Sequence, residues 1–233
     1  NPSWKEFEST NTIDIEWSDV NADGYLDMIV ANTGVHGASP EVIQLFLNNR
    51  GYFNEYPSWA MKSNLFSPIT PIDIELVDMD GDLDAELILA AELDDGFAVS
   101  IYENKDDAFF GTAQQTLYLE SIPVDIEWGD IDNDGNLDLI VGFSDGIEIY
   151  FWEDNQSMSD WNMTEYLSPN TIFVGKSYNI ADMELGDLDR DGDLDIALAI
   201  WGYHSMVLMN ENASFSDVVI DYHVDNAYSI TIG

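Results

Sequence analysis

The 233-residue chain has no cysteine, only 6 lysines and arginines together, 3 histidines and no apolar run long enough to span a bilayer. Without cysteine there is no disulfide framework, no thiolate nucleophile and no cysteine-built zinc site. Six basic residues against 46 acidic ones leave a formal net charge of −40, which excludes nucleic acid and anionic membrane as partners, since both require positive surface. His36, His204 and His223 stand singly and form no metal or catalytic cluster; His36 and His204 share a place in their repeats, and a structural use is expected of them. There is no Gly-x-Ser-x-Gly elbow, phosphate-cradling loop or His-Glu-x-x-His helix. Close carboxylate pairs are guaranteed by 46 acids, so they say nothing for glycoside chemistry. No signal peptide or lipidation motif is present, and the opening Asn1-Pro-Ser-Trp4 is what an excised domain or mature product would show.

What is present is acid in a fixed order. Three stretches repeat one loop: Asp19-Val-Asn21-Ala-Asp23-Gly24-Tyr25-Leu-Asp27, Asp130-Ile-Asp132-Asn-Asp134-Gly135-Asn136-Leu-Asp138 and Asp187-Leu-Asp189-Arg-Asp191-Gly192-Asp193-Leu-Asp195. Carboxylate or amide oxygens at positions 1, 3, 5 and 9, with the carbonyl of position 7 (Tyr25, Asn136, Asp193), are what a hard cation such as Ca2+ requires. Glycine at position 6 permits the positive φ that folds the loop back on itself. An EF-hand shares the first six positions but needs a bidentate Glu at position 12 and helices on both sides. Position 12 is Val30, Val141 and Leu198, and the flanks (Thr12–Trp17, Leu26–Ala31) are short and β-branched, so they predict strands. A solvated acidic turn that binds nothing is the plain alternative; three sets of converging oxygens with no cation would repel one another.

The loops belong to a longer unit. Their glycines, Gly24, Gly81, Gly135 and Gly192, recur at intervals of 57, 54 and 57 residues, a period that signals a repeat architecture. Each unit opens with an acidic string (Asp14-Ile-Glu16, Asp73-Ile-Glu75, Asp125-Ile-Glu127, Asp182-Met-Glu184). An apolar strand follows each loop (Met28–Ala31, Leu87–Ala91, Leu139–Gly142, Ile196–Ile200), then a third strand ending in a polar turn (Val42–Asn49, Val99–Asn104, Ile147–Asp154, Ser205–Glu211). A fourth, weaker segment comes last, as in Tyr52–Tyr56 and Ser214–Ile220. Four strands per unit make a β-propeller blade, so the chain is expected to be all-β, with four four-stranded antiparallel blades in approximate repeats 10–68, 69–121, 122–178 and 179–233. Ser229-Ile-Thr-Ile-Gly233 aligns with Asp125–Gly129 and Asp182–Gly186 and reads as the start of a fifth repeat, so further blades or domains are expected beside these four.

Strand, Asp-x-Asp-x-Asp-Gly-x-x-Asp loop, strand and Leu-x-Leu-Asn-Asn type hairpin, recurring together in order over nearly the whole chain, resemble the FG-GAP and VCBS repeats, the former known from integrin α-subunit propellers. The resemblance implies a propeller, commonly seven-bladed, with calcium in the hairpin between the first two strands of a blade, at the three sets of positions quoted above. The second unit departs from the pattern. It reads Asp78-Met-Asp80-Gly81-Asp82-Leu-Asp84, two residues shorter than its siblings: anchoring on Gly81 puts Leu76 at position 1 and anchoring on Glu75 removes part of the loop, so it is expected to lack one side-chain ligand and to hold calcium weakly or not at all.

With 12% aromatic and 45% hydrophobic residues the charge must decorate a packed fold. Charge of this size penalises the compact state unless salt or divalent cations screen it, and three Ca2+ would offset six of the charges. An extracellular, cell-surface or high-salt setting suits it, because low-affinity calcium sites fill there. The Asp-x-Glu pairs lie on one strand face opposite Ile13, Ile15 and Trp17 and are expected to form a hydrated polar face. Most of the seven Trp are expected to pack between blades; Trp59, Trp152, Trp161 and Trp201 lie in or near loops, where a sugar platform would be built. Asn155, Asn162 and Asn212 head glycosylation sequons, a pattern common by chance in an Asn-rich chain.

The expected function is a non-enzymatic calcium-stabilised module for adhesion or for binding an unidentified protein or glycan. The alternatives are a polysaccharide lyase or hydrolase, or its lectin-like accessory domain, and a structural spacer that binds only calcium.

Overall fold

The computed structural model describes residues 11–33, 41–63, 68–79, 81–105, 109, 112–152, 170–173, 179–202, 205–219 and 227–232. Every regular element among them is a strand, and four antiparallel meanders result, each with its strands in sequence order. The first holds β1 (Asn11–Ser18), β2 (Asp27–Thr33), β3 (Glu41–Phe46) and β4 (Trp59–Lys62). The second holds β5 (Ile69–Val77), β6 (Glu86–Leu93), β7 (Gly96–Tyr102) and β8 (Gln115–Leu119). The third comprises β9 (Pro123–Gly129), β10 (Asp138–Phe143), β11 (Gly146–Tyr150) and β12 (Asn170–Phe173). The fourth comprises β13 (Asn179–Gly186), β14 (Asp195–Trp201), β15 (Met206–Asn210) and β16 (Phe215–Val219). The chain is thus all-β and built of four-stranded blades, as its repeats predict.

Two compact units divide it, β1–β8 within Asn1–Ser121 and β9–β16 within Ile122–Gln156 and Asn162–Gly233. The second strand of each sheet is covered on both faces, which is why it reads as a continuous apolar run instead of alternating. In the first unit Ile29, Ile43 and Leu45 of one sheet and Ile74, Leu87 and Leu89 of the other make one core. In the second, Ile140, Ile147 and Ile149 meet Met183, Ile196 and Leu198. Val20 and Ile131, at position 2 of their loops, are fully buried in these cores and root the loops there.

The fourth strand of the first sheet is not Tyr52–Tyr56, as the aromatics suggest, but Trp59–Lys62. Arg50 and Gly51 adopt positive φ (56° and 90°), and the N–H of Asn49 donates to the Tyr52 carbonyl at 2.8 Å. The chain therefore turns back tightly, and Phe53 forms only an isolated bridge with Asn48. The strand proper forms where Trp59 and Met61 pair with Leu45 and Ile43, Trp59 also meeting the Phe109 ring edge-on at 5.3 Å.

The first strands carry a device that alternation does not predict. In β1, β5, β9 and β13 the pairing skips one residue, Ile13, Ile72, Val124 and Ala181 respectively, always the residue before the Asp of the Asp-x-Glu string. Such a bulge bends the strand and re-aims the next side chain. Three of the aspartates then reach across to a neighbouring segment instead of forming a hydrated face. Asp14 Oδ2 accepts from the Ile74 N–H at 3.2 Å, Asp125 Oδ2 from the Met183 N–H, and Asp182 Oδ2 from the Ile230 N–H at 2.7 Å. Each donor occupies the same place, one residue past the aligned Asp73, Asp182 or Ser229. The contact recurs in packing too: a Cβ at Gly129 would lie 2.9 Å from Leu185 Cδ1, and one at Gly186 3.0 Å from the aligned Ile232 Cδ1. By contrast Ile15, the counterpart of Ile74 and Met183, is 44% exposed, against 1% and 2% for those two.

Replacing Asp125 by Ala orphans the buried Met183 N–H and is expected to cost about 1–3 kcal/mol. Asp125→Asn retains an acceptor and should cost less; thermal melts of the two variants at fixed calcium and salt check the order.

Candidate metal-binding loops

Each acidic loop joins the first strand of a sheet to the second, and its own side chains fold it. The position-1 carboxylate caps the inward amides: Asp19 takes the N–H groups of Asp23 and Gly24 at 2.9 and 2.7 Å, Asp130 those of Asp134 and Gly135 at 3.0 Å each, Asp187 those of Asp191 and Gly192 at 3.1 and 3.2 Å. Position 3 (Asn21, Asp132, Asp189) accepts from the position-5 amide, and position 5 (Asp23, Asp134, Asp191) from that of position 7 (Tyr25, Asn136, Asp193). The backbone turns left-handed twice, at position 4 (Ala22, Asn133, Arg190) and at the position-6 glycine.

Position 9 is the buried anchor. Asp27, Asp138 and Asp195 are wholly inaccessible. One oxygen of each takes the N–H of position 2 (Val20, Ile131, Leu188) at 2.8–3.1 Å, and the other takes an N–H at the end of the third strand or just beyond it (Asn48, Trp152, Asn210) at 2.6–2.9 Å. Burial raises the Asp27 carboxyl above its usual range and pushes that of Asp138 up to about 6, despite two N–H donors that favour the anion.

The second loop has the same frame in a register that the glycine disguises. Val77 pairs with Glu86 as Ser18 does with Asp27, so Glu86 is position 9 and Asp78 position 1. Glu86 is 1% exposed and accepts the Met79 N–H at 3.0 Å; Asp78 accepts from Gly81 and Leu83, and Asp82 from Asp84. The loop is therefore full length, and the missing ligand is Glu86, two residues beyond Asp84. Gly81 (φ 77°) fills position 4, and Leu83 (φ 78°) is forced into the left-handed turn that glycine fills elsewhere. Asp80 lies outside the described residues. The constant spacing from Glu16, Glu75, Glu127 and Glu184 to each first Asp was the signal that gives the register.

The donor set fits a hard divalent cation. One oxygen from each of Asp130, Asp132 and Asp138 lie within 4.8 Å of one another, as do those of Asp187, Asp189 and Asp195. Oxygens on opposite sides of an ion bound at 2.3–2.6 Å stand about 5 Å apart, so these groups could share one Ca2+, and no soft ligand is present to favour zinc or copper. Of the other residues singled out, Trp59 and Trp152 are half-buried and buried and Trp201 is half exposed, while Trp161, Asn155, Asn162, His36, His204 and His223 lie outside the described residues. Among the described residues no helix could cross a membrane.

The FG-GAP-like repeat model matches residues 19–89, 78–141 and 130–198, each match starting at a position-1 aspartate, Asp78 included. The chain belongs to the FG-GAP-like repeat family, with a β-propeller-like fold. Among solved structures it is similar to rhamnogalacturonan lyase YesW (15% identity, TM-score 0.52), covering 88% of this chain and 42% of the lyase chain. The Photorhabdus luminescens Tc holotoxin pore (15%, TM-score 0.46, 91% and 10% covered) and BBS1N in complex with ARL6DN (13%, TM-score 0.48, 90% and 66% covered) resemble it more loosely. No curated protein matches the chain. It spans less than half the length of the lyase, and the likeness to it is one of fold.

The register makes Gly135→Leu unfavourable by about 1–2 kcal/mol, the left-handed penalty of a side chain, while Leu83→Gly should be neutral or stabilising; melts of both variants without calcium read this out. A pH effect follows from Asp138. Its folded pKa, about 6, exceeds the 3.8 of the unfolded carboxyl, so its contribution is fully present below pH 3.8 and is lost as pH rises through 6. A cation needs the anion and must displace that proton at low pH. The calcium-induced rise in melting temperature should therefore be larger at pH 7 than at pH 5.

Proposed function

We propose that the chain is a non-enzymatic, calcium-binding propeller module of a secreted or cell-surface protein, serving adhesion or the binding of a protein or glycan. The observation that carries this reading is the hydrogen-bonded frame of the loops, with three carboxylates converging within 4.8 Å in each of the loops Asp130–Asp138 and Asp187–Asp195. The three loops with glycine at position 6 are the stronger sites. The second, complete through Glu86 but strained at Leu83, is a fourth and weaker one. A bound Ca2+ would neutralise the converging carboxylates and fix the loop between its two strands. The position-9 carboxylate already ties the loop to the third strand, so ordering there holds three strands of the blade in register.

The setting follows from charge and affinity. A surface of net charge −40 suits calcium- and salt-rich fluid, and oxygen-only loop sites of moderate affinity fill there. The second reading, a polysaccharide-acting enzyme or its accessory domain, is favoured by the likeness to a rhamnogalacturonan lyase; against it, the chain spans 42% of that protein.

Calorimetric calcium titration of chelator-stripped protein tests the proposal, with a high-sodium control for screening. Three strong sites and one weaker are expected, with a rise in melting temperature beyond the salt control; Asp134→Ala should remove one strong site and Asp78→Ala only the weak one. No saturable binding sinks the calcium reading. Release of reducing or unsaturated sugar ends from pectic polysaccharide would favour the enzyme.

A further inference from the structure

In the second unit two asparagines outside the ligand positions tie one loop to the next. Asn210, at the end of β15 and 1% exposed, donates Nδ2 to the Ile131 carbonyl at 2.8 Å and to the Leu194 carbonyl at 3.1 Å. Its own N–H donates to Asp195 Oδ1 at 2.9 Å, while the Ile131 N–H donates to Asp138 Oδ2 at 2.9 Å. An unbroken hydrogen-bonded path thus joins the position-9 carboxylate of one loop to that of the other, through residues that donate no oxygen to either cluster. Contact with two carbonyls fixes which end of the Asn210 amide faces them, since only nitrogen donates.

A second bridge lies at the exposed end of the loops. Asn133 Nδ2 donates to Asp193 Oδ1 at 2.6 Å, and Asp193 Oδ2 accepts the Asn212 N–H at 2.7 Å. Asn133 is one of the left-handed position-4 residues (φ 59°), so its side chain is placed only when its loop is folded. Asp193 in turn is placed only when the following loop is folded. The first unit provides an internal contrast. Asn104 Nδ2 donates to the Val20 carbonyl at 2.7 Å, repeating the inner bridge, but position 4 there is Ala22, which cannot form the outer one.

We infer that the loops Asp130–Asp138 and Asp187–Asp195 bind divalent cations as a coupled pair, with Asn133 and Asn210 as the positioning residues that carry the coupling. The inference rests on the calcium reading above. Ordering one loop by a cation fixes one end of both bridges, so the second loop loses less conformational freedom on binding and its affinity rises. Coupling between sites typically changes affinity about 5- to 150-fold, equally in both directions.

The amides of Gly135 and Gly192, one in each loop, serve as separate reporters in backbone NMR spectra of the full chain during calcium titration. Asp189→Ala removes an oxygen from the second loop of the pair and leaves the loop-capping Asp187 in place. The calcium midpoint at Gly135 should then rise at least about fivefold. In an Asn133→Ala background, with every ligand of the first loop intact and an exposed residue changed, the same substitution should move Gly135 several-fold less. An unmoved Gly135 midpoint in Asp189→Ala, or a shift undiminished by Asn133→Ala, overturns the coupling. Failure of both glycines to respond to calcium in the unmodified chain overturns the calcium reading instead.

Discussion

A buried carboxylate that accepts backbone N–H groups recurs at the ninth position of every loop, as Asp27, Glu86, Asp138 and Asp195, and the local geometry hangs from it. At the three aspartates one oxygen holds the loop and the other holds the end of the third strand or the residue just past it. Burying such a group unpaired would cost several kcal/mol; two N–H partners turn it into a cross-link between segments about 20 residues apart in the chain. At Asp138 the partners do not fully offset desolvation, and the carboxyl stays well above its ordinary range. A nearby divalent charge is the obvious means of relieving that tension, which makes structural anchor and candidate ligand the same group.

Between sheets the joining principle is different. Apolar side chains fill the space, but the register of one sheet on the next is set by Asp14, Asp125 and Asp182, each accepting a backbone N–H from the following segment. A main-chain donor makes no demand on the identity of its own side chain, and Met183 serves where Ile74 and Ile230 do. The repeats can thus diverge widely in sequence while an acid, a bulge before it and a small residue near Gly129 or Gly186 keep the stacking. Ion pairs contribute little: among the described residues Lys62–Glu41 and Lys105–Glu103 bridge at 3.1 and 2.7 Å, both with lysines about half exposed.

Much of this is legible in the sequence. The apolar runs Leu87–Ala91 and Ile196–Ile200 mark strands covered on both faces, and the three loops with glycine at position 6 announce their turns directly. The second loop misleads because glycine is the most visible residue in a turn. The frame has two left-handed positions, and Gly81 occupies the first while Leu83 tolerates the second, so aligning glycines shifts the register by two and hides Glu86. Strand alternation makes the aspartates of the Asp-x-Glu strings look like a solvated face, because it assigns faces and not partners. A bulge one residue upstream and a donor some 50–60 residues away decide their role, and neither has a local signature. Tyr52–Tyr56 reads as a strand by composition, but Arg50 and Gly51 close the turn too early for it.

The density of negative charge and the economy of basic residues belong to one physical argument. In a chain with six lysines and arginines in total, repulsion among loop carboxylates cannot be balanced by salt bridges, and it is met locally by backbone amides, nine of which donate to the position-1 carboxylates alone. Amides supply only partial charges, fixed in place by the fold. Their arrangement favours the turn that a divalent ion would use without neutralising the carboxylates that line it. Asparagines just outside the carboxylate positions add to that frame. In the coupling inferred above, an amide hydrogen bond between two frames, such as that of Asn133 to Asp193, would make the order that a cation imposes on one loop felt by the other.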